Sequence, residues 1–379
     1  MVEYGLKRHF TGECAREIAA RINEGPFRID SEEYASAVDA RVQGFELKDR
    51  VLVLAEELRR RLPKSYNESL SILLGSLGPE LREDQGMFTE SWFLMPVARF
   101  VEEYGLDYPD ESLDAIGEIT KRHTGEYAIR PYLKNWHEET MEKVSQWAKS
   151  ESHNVRRLAT EGIRPRLPWH ARFEPFIKNP RPVIEVIDGL VDDPSLYVRT
   201  SVANNLNDIS KDHPGLAVET ADRWLKESRE SARAQWVVTK GLRGLIKAGD
   251  PDALAVVGAE ADESVSVTDV ELGGTTARVG EGLEIRATVT NEGDRTRDVV
   301  VDYQVHFRRA NGSLRPATFK LGRVTIGPGR SATLTKIHSF KIVKTRTYFP
   351  GEQGIVVQAN GAPSSMVSFA LEPRSASDG

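Results

Sequence analysis

The amino-acid sequence predicts a multidomain chain, α then β: a HEAT-like α-helical solenoid over residues 1–260, then an immunoglobulin-like β-sandwich over 264–373. Three observations carry this. Through about residue 258 apolar positions recur at three- and four-residue intervals among abundant Leu, Ala, Glu, Lys and Arg, the period of amphipathic helices. From about residue 264 the period drops to two, as in half-buried strands. Within the helical half, an apolar triplet at i, i+4, i+8 occurs three times: Val155, Ala159, Ile163; Val198, Val202, Leu206; Ala234, Val238, Leu242. The copies stand 43 and then 36 residues apart, the length of stacked HEAT-like helix pairs.

The elements follow in order. LKDRVLVLAEELRRRL (47–62) and ESLSILLGSL (68–77) read as amphipathic helices, and DDPSLYVR (192–199) is the lead-in of a HEAT repeat. ALAVVGAEADES (253–264) is the linker. Beyond it VSVTDVEL, LEIRATVTN, VVVDYQVHFR, ATLTKIHSF and GIVVQAN alternate as strands, separated by the turn sequences NEGD, RANGS, GPGR and FPGEQG. Short strands at this spacing fit a sandwich, here without the inter-sheet disulfide and its tryptophan. The terminal PRSASDG is expected to be disordered.

Composition narrows the function. The chain has 379 residues, 39% of them hydrophobic and 28% charged, and no apolar run approaches the roughly 18 residues of a membrane span. No signal-peptide core follows Met1, so the cytoplasm is the expected compartment. A single cysteine, Cys14, excludes an internal disulfide, and the eight scattered histidines disfavour a metal site. No cofactor is expected. The net charge of -6 hides local basic regions. Residues 295–346 hold twelve Lys and Arg against Asp298 and Asp302; Arg156 to Arg181 holds seven against Glu161 and Glu174. Two such patches could close on one polyanion as a clamp.

The repeat register assigns faces. If Val155, Ala159 and Ile163 are core, Arg157, Glu161 and Arg164 form the adjoining polar stripe, continued by Thr200, Asn204 and Asn207 and by Trp236, Lys240 and Arg243. Cations, amides and an aromatic on one surface suit a nucleic-acid groove.

Four segments, GEYAIRPYL (125–133), NVRRLATEGIRPRLPW (154–169), DPSLYVRTSVANNLNDISKDHP (193–214) and GLRGLIKAGDPDAL (241–254), resemble the AlkC-type DNA glycosylases, a HEAT-like repeat family of alkylation repair, and the β domain resembles that of the subgroup carrying one. Trp92 in FTESWFLMP bears only loose likeness to the AlkD-type relatives, and none of their residues is carried over. The resemblance implies monofunctional hydrolysis of the N-glycosidic bond of cationic bases, chiefly 3-methyladenine and 3-methylcytosine, in double-stranded DNA, without deep base flipping. A monomer is expected.

A base that is already cationic needs no general acid. What remains is to stabilise positive charge on the sugar and aim a water at C1′, work for carboxylates. By family position these are Glu126 and Glu161. Against this, Glu161 could simply pair with Arg157 on an exposed helix, worth about 0.3–0.5 kcal/mol, and Glu126 could complement a helix dipole. Trp169 either packs beneath a loop or offers its π face to the sugar or the cationic base; exposure separates the two. Arg156, Arg157, Arg164, Arg166, Arg199 and Lys211 are candidate phosphate ligands, joined by Asn204, Asn205 and Lys240. Arg199 could instead tie repeats together through an Asp. In the β domain, Lys341, Lys344 and Arg346 lie beside Tyr348 and Phe349, as in a DNA-contacting loop, or as charges guarding a sheet edge. The rival readings are a non-catalytic HEAT-repeat scaffold for DNA or protein, and an architectural module that bends DNA without lesion preference.

Overall fold

The structure, a computed structural model, describes residues 5–82, 87–229, 231–258, 264–342 and 346–374. The chain forms two compact units, Met1–Asp212 with Ser231–Val237, and His213–Glu230 with Val238–Gly379.

The first unit is helical. Its helices begin where short polar side chains satisfy orphan N–H groups: Thr11 caps Gly12–Glu24 by accepting from Glu13 N at 3.3 Å, and Asp30 caps Ser31–Arg41 by accepting from Glu32 N and Glu33 N at 3.0 Å. Leu47–Arg61 buries Val51, Val53, Leu54 and Leu58, the apolar stripe read from the sequence. Met95–Tyr104, Pro109–Thr120 and His137–Trp147 lead to His153–Glu161, which packs on Leu196–Ile209, one repeat onward. All nine residues of the three apolar triplets are buried, as the i, i+4, i+8 spacing requires. At Gly162, the C-cap of the helix His153–Glu161, a Cβ would meet Ile129 Cγ2 at 2.8 Å, so only glycine lets GEYAIRPYL and the next repeat approach this closely.

The second unit joins the helices Pro214–Glu227, Arg243–Ala248 and Pro251–Val256 to a β-sandwich. Its strands are β1 (Val265–Leu272), β2 (Thr276–Arg278), β3 (Gly282–Asn291), β4 (Arg297–Arg308), β5 (Leu314–Ile326), β6 (Arg330–Ser339), β7 (Gly351–Ala359), β8 (Ala362–Pro363) and β9 (Val367–Glu372). One sheet has the order β1-β3-β6; the other runs β2-β9-β7-β4-β5, with β8 on β7. Neighbouring strands are antiparallel except β2 and β9. Ile285, Ala287 and Val289 of β3 share a core with Val299, Val301, Tyr303 and Val305 of β4 and with Ile355 and Val357 of β7. β5 was not among the strands read from period alone. Only Leu321 and Ile326 of its thirteen residues are buried, so little apolar alternation marks it.

Among the described residues no helix is long and apolar enough to cross a membrane, and no group of three His, Cys, Asp or Glu side chains could hold a metal. Cys14 is buried, and burial pushes its thiol up, with Glu17 adding to the effect.

Candidate active site

The helix His153–Glu161 has its apolar face in the core, which puts Arg157 and Glu161 side by side on the adjoining flank. They are not an exposed stripe. Arg157 donates to Glu126 Oε2 and, at 3.0 Å, to Thr124 Oγ1; its Nη2 lies 3.5 Å from Glu161 Oε1. Past Gly162 the chain turns back, and Arg164 donates to Glu161 Oε1 at 2.8 Å and to Asp208 Oδ2 at 2.9 Å. Ser201 Oγ donates to Glu161 Oε2 at 2.6 Å, and Lys211 Nζ lies 2.9 Å from Asp208 Oδ1.

The result is a ladder of alternating charge, Glu126, Arg157, Glu161, Arg164, Asp208, Lys211. Its side chains are 2–13% exposed up to Asp208, whereas Lys211 is 48% exposed. The six groups balance in charge, three carboxylates against Arg157, Arg164 and Lys211, and Glu126 is the acid at the end away from Lys211. Burial pushes the Glu161 carboxyl up, but Arg157, Arg164 and the Ser201 hydroxyl together hold it below the usual carboxylate range. Burial pulls the Arg157 guanidinium down, and Glu161 and Glu126 outweigh that, leaving it firmly charged. Its guanidinium carbon also sits 4.8 Å from the Tyr197 ring centroid. The weak exposed ion pair weighed for Glu161 and Arg157 is thus not what forms; the pair is buried and part of a network.

Trp169, which lines one cavity with Glu126, is 76% exposed and has φ 61°. Exposure excludes packing beneath a loop. A left-handed backbone at a non-glycine residue costs about 1–2 kcal/mol, so the loop must be held from outside. Lys48 Nζ donates to the Trp169 carbonyl, and the Tyr127 hydroxyl donates to the Pro168 carbonyl at 3.4 Å. Lys48 also lies 5.0 Å from the Tyr127 ring centroid, against which His170 stacks at 6.2 Å. Arg130 closes both ends of the loop, donating to Gly162 O at 3.0 Å, Arg164 O at 3.1 Å and Ala171 O at 3.4 Å. It is buried with only carbonyl acceptors among the described residues, and burial lowers its pKa to about 10.

Substituting Trp169 by glycine should separate ring chemistry from packing. The left-handed strain disappears and almost no buried area is lost, so the melting temperature is expected to hold or rise. If the indole serves a cation at about 2 kcal/mol, turnover falls up to about 30-fold. A parallel loss of stability would return the ring to a packing role.

Arg156, Arg164, Arg166 and Arg199, expected as open phosphate ligands, each have internal partners in this structure. Arg156 forks onto Asp193 at 2.7 and 3.1 Å and donates to Ser150 O and Glu151 O, making the repeat-tying contact considered for Arg199. Arg199 instead donates to the carbonyls of Asp193 and Pro194 at 2.5 and 2.9 Å, and lies 5.9 Å from the Trp236 ring centroid. Arg164 is buried, and Arg166 is bidentate to Asp212. Asn205 is wholly buried, donating to Thr160 O and Ser201 O at 2.8 and 3.1 Å, and so cannot meet a DNA backbone. Asn204 is half-buried and Lys211 half-exposed. The polar contacts one repeat on come from Ser201, Asn205 and Asp208, one residue round the helix from the stripe Thr200, Asn204 and Asn207.

In the second unit Lys240 is half-buried, Lys341 is exposed, and Arg346 sits over Phe307 and Phe319, 4.2 and 5.4 Å from their ring centroids. Lys344 lies outside the described residues.

A cavity of about 140 Å³ opens beside Glu126 and Trp169. A larger, open recess of about 530 Å³ between the helices His137–Trp147 and Arg181–Asp188 contains none of the site residues.

A HEAT-like helical unit with a buried acid–arginine ladder, followed by an immunoglobulin-like sandwich, defines an AlkC-like helical-repeat protein with an appended β domain. The chain belongs to the family of the protein YhaZ of Bacillus subtilis (strain 168), described as uncharacterized, with which it is 35% identical over 323 residues, 85% of this chain and 87% of that one. Residues 266–373 match the family "Uncharacterised protein YhaZ, C-terminal Ig-like domain". Among solved structures, the Pseudomonas fluorescens alkylpurine DNA glycosylase AlkC, bound to DNA containing an abasic site analog, is similar with TM-score 0.88 and 29% identity, over 97% of this chain and 100% of that chain.

Proposed function

We propose that the chain is a DNA glycosylase of alkylation repair that hydrolyses the N-glycosidic bond of cationic methylated bases in double-stranded DNA, working as a monomer. The observation that carries this reading is the cavity that the exposed Trp169 shares with Glu126, the end of a buried ladder of carboxylates and guanidinium groups. Whole-chain similarity to AlkC supports it.

The C1′–N bond breaks with its electron pair going to the base, so cationic 3-methyladenine or 3-methylcytosine departs neutral. The positive charge moves to the sugar, where the Glu126 carboxylate at the end of the ladder stabilises it. The indole face adds a further contact to that cation without a deep base pocket. Glu126 and Glu161 divide the acid work. Glu161 has both oxygens engaged and stays ionised; it sets the field and the position of Arg157. Glu126 is bonded by Thr124 and Arg157 on Oε2 and lines the cavity, so Oε1 is the oxygen placed to orient a water. That water adds its hydroxyl to C1′ and gives its proton to the carboxylate.

The test is incubation with methylated duplex DNA, followed by quantification of free bases and of strand integrity. Release of 3-methyladenine and 3-methylcytosine with intact strands is expected. DNA binding with no base released would leave the architectural reading, and neither activity would leave the protein scaffold.

A further inference from the structure

The chain contains two Asn-Gly pairs, Asn311–Gly312 in the turn RANGS between β4 and β5, and Asn360–Gly361 in the turn between β7 and β8. Such a pair carries intrinsic chemistry. Glycine has no Cβ, so its backbone nitrogen can approach the preceding side-chain carbonyl without the clash that another residue would bring. The fold leaves that approach open at one pair and closes it at the other.

Asn360 is 4% exposed and ties two strands together. Its Oδ1 accepts from Val300 N at 2.8 Å, its Nδ2 donates to Asp298 O at 3.4 Å, and its own N–H donates to Val300 O at 2.9 Å. Gly361 is pressed against Gly249, since a Cβ on it would meet Gly249 Cα at 2.4 Å. Turning the Asn360 side chain onto the Gly361 nitrogen requires the end of β7 to come away from β4.

Asn311 is exposed at the tip of a hairpin. Its Oδ1 accepts from Ser313 N at 3.1 Å and from Ser313 Oγ at 2.7 Å. These contacts fold the side chain back along its own backbone and put two donors on the oxygen where negative charge develops when a nucleophile adds to the carbonyl. The segment RRANGSLR (308–315) has three arginines and no acid, and Arg308 Nη2 comes within 3.5 Å of where a Cβ on Gly312 would stand. Positive charge there favours the deprotonated amide nitrogen that must attack. One bond opposes the reaction: Gly312 N–H donates to Arg309 O at 2.9 Å. It lies at an exposed hairpin tip, where local opening costs far less than parting two core strands.

We propose that Asn311 is a site of spontaneous covalent modification in the folded protein, and that Asn360 is protected. The Gly312 nitrogen gives its proton to water or a buffer base and bonds to Asn311 Cγ. The Cγ–Nδ2 bond breaks, and the departing nitrogen takes a proton from water and leaves as ammonia. A second water then opens the cyclic imide. Cleavage between Cγ and nitrogen yields aspartate; cleavage between the backbone carbonyl carbon and nitrogen yields isoaspartate, with the chain rerouted through the side chain. Either product sets a carboxylate among three arginines and changes the charge of the hairpin tip. The inference is independent of the glycosylase reading.

The full chain, folded or in urea, is incubated at mildly alkaline pH, digested and read by peptide mass spectrometry, with isoaspartyl methyltransferase labelling to identify isoaspartate. In the folded chain Asn311 is expected to convert about tenfold or more faster than Asn360, because a loop tip opens far more often than core strands do. In urea the two rates should converge. Asn311→Gln keeps an amide but needs a larger ring, so it should abolish the isoaspartate signal of the folded chain and leave the melting temperature unchanged. Conversion of Asn311 in urea but not in the folded chain, equal rates at the two asparagines in the folded chain, or an isoaspartate signal that persists in folded Asn311→Gln would each overturn the proposal.

Discussion

Glu161→Gln is expected to reduce base release by about 10²–10³-fold or more, the scale seen when a preorganised electrostatic group or general base is removed. The substitution keeps the shape of the side chain and its contact with Ser201 but removes the negative charge between Arg157 and Arg164. Those guanidinium groups are 13% and 8% exposed, so they lose a counter-charge in a poorly solvated place. Breaking a buried pair this way costs about 3–5 kcal/mol. Release measured well below the lowered melting temperature, beside a binding assay on an abasic duplex, separates the two losses. Full activity in a folded variant would remove Glu161 from the mechanism; loss of DNA binding in step with activity would make its role structural.

Arg157→Met is expected to have the second large effect, through titration. Arg157 bridges Glu126 and Glu161 and is the foremost of the charges that hold the Glu161 carboxyl low. A group whose pKa is depressed on folding stabilises the protein above its unfolded value, about 4.3 for Glu. That contribution is lost as pH falls through the lower, folded value. Without Arg157, burial is opposed by Arg164 and Ser201 alone, so the carboxyl titrates higher. The acid limb of the pH–rate profile and the acid limb of stability should both move toward neutral pH, and activity should partly recover in alkaline buffer. A uniform loss at every pH, with an unmoved acid limb, would show that Arg157 acts by shape alone.

Much of this site could be read in the sequence, though not its state of charge. GEYAIRPYL and NVRRLATEGIRPRLPW contain Glu126, Arg157, Glu161 and Trp169, and the structure brings the first three together and puts the fourth on one cavity with Glu126. The arginines of the second segment looked like a phosphate-binding surface because their partners are far along the chain. Arg156 meets Asp193, 37 residues on; Arg164 meets Asp208 at 44; Arg166 meets Asp212 at 46. These separations are one repeat length, as are those from Glu161 to Ser201 and from Thr160 to Asn205, at 40 and 45. Acids and amides displaced by one repeat were the available signal. Arg130 and Asp208 stand in segments already singled out, whereas Lys48, 121 residues from Trp169, had no local mark at all.

By itself the sequence determined what depends on short-range periodicity. The change from period 3.6 to period two separates helices from strands, and the i, i+4, i+8 triplets choose the buried faces, because side-chain direction along a regular element follows from its backbone geometry. Only the tertiary structure decided which charges face each other across stacked repeats, that Glu161 is buried rather than exposed, and that Trp169 is held outward with φ 61° by Lys48 and Tyr127. Those outcomes depend on packing between elements one repeat or more apart. Coulombic and desolvation energies there vary with a few ångströms and with access to water, neither of which is written in local spacing.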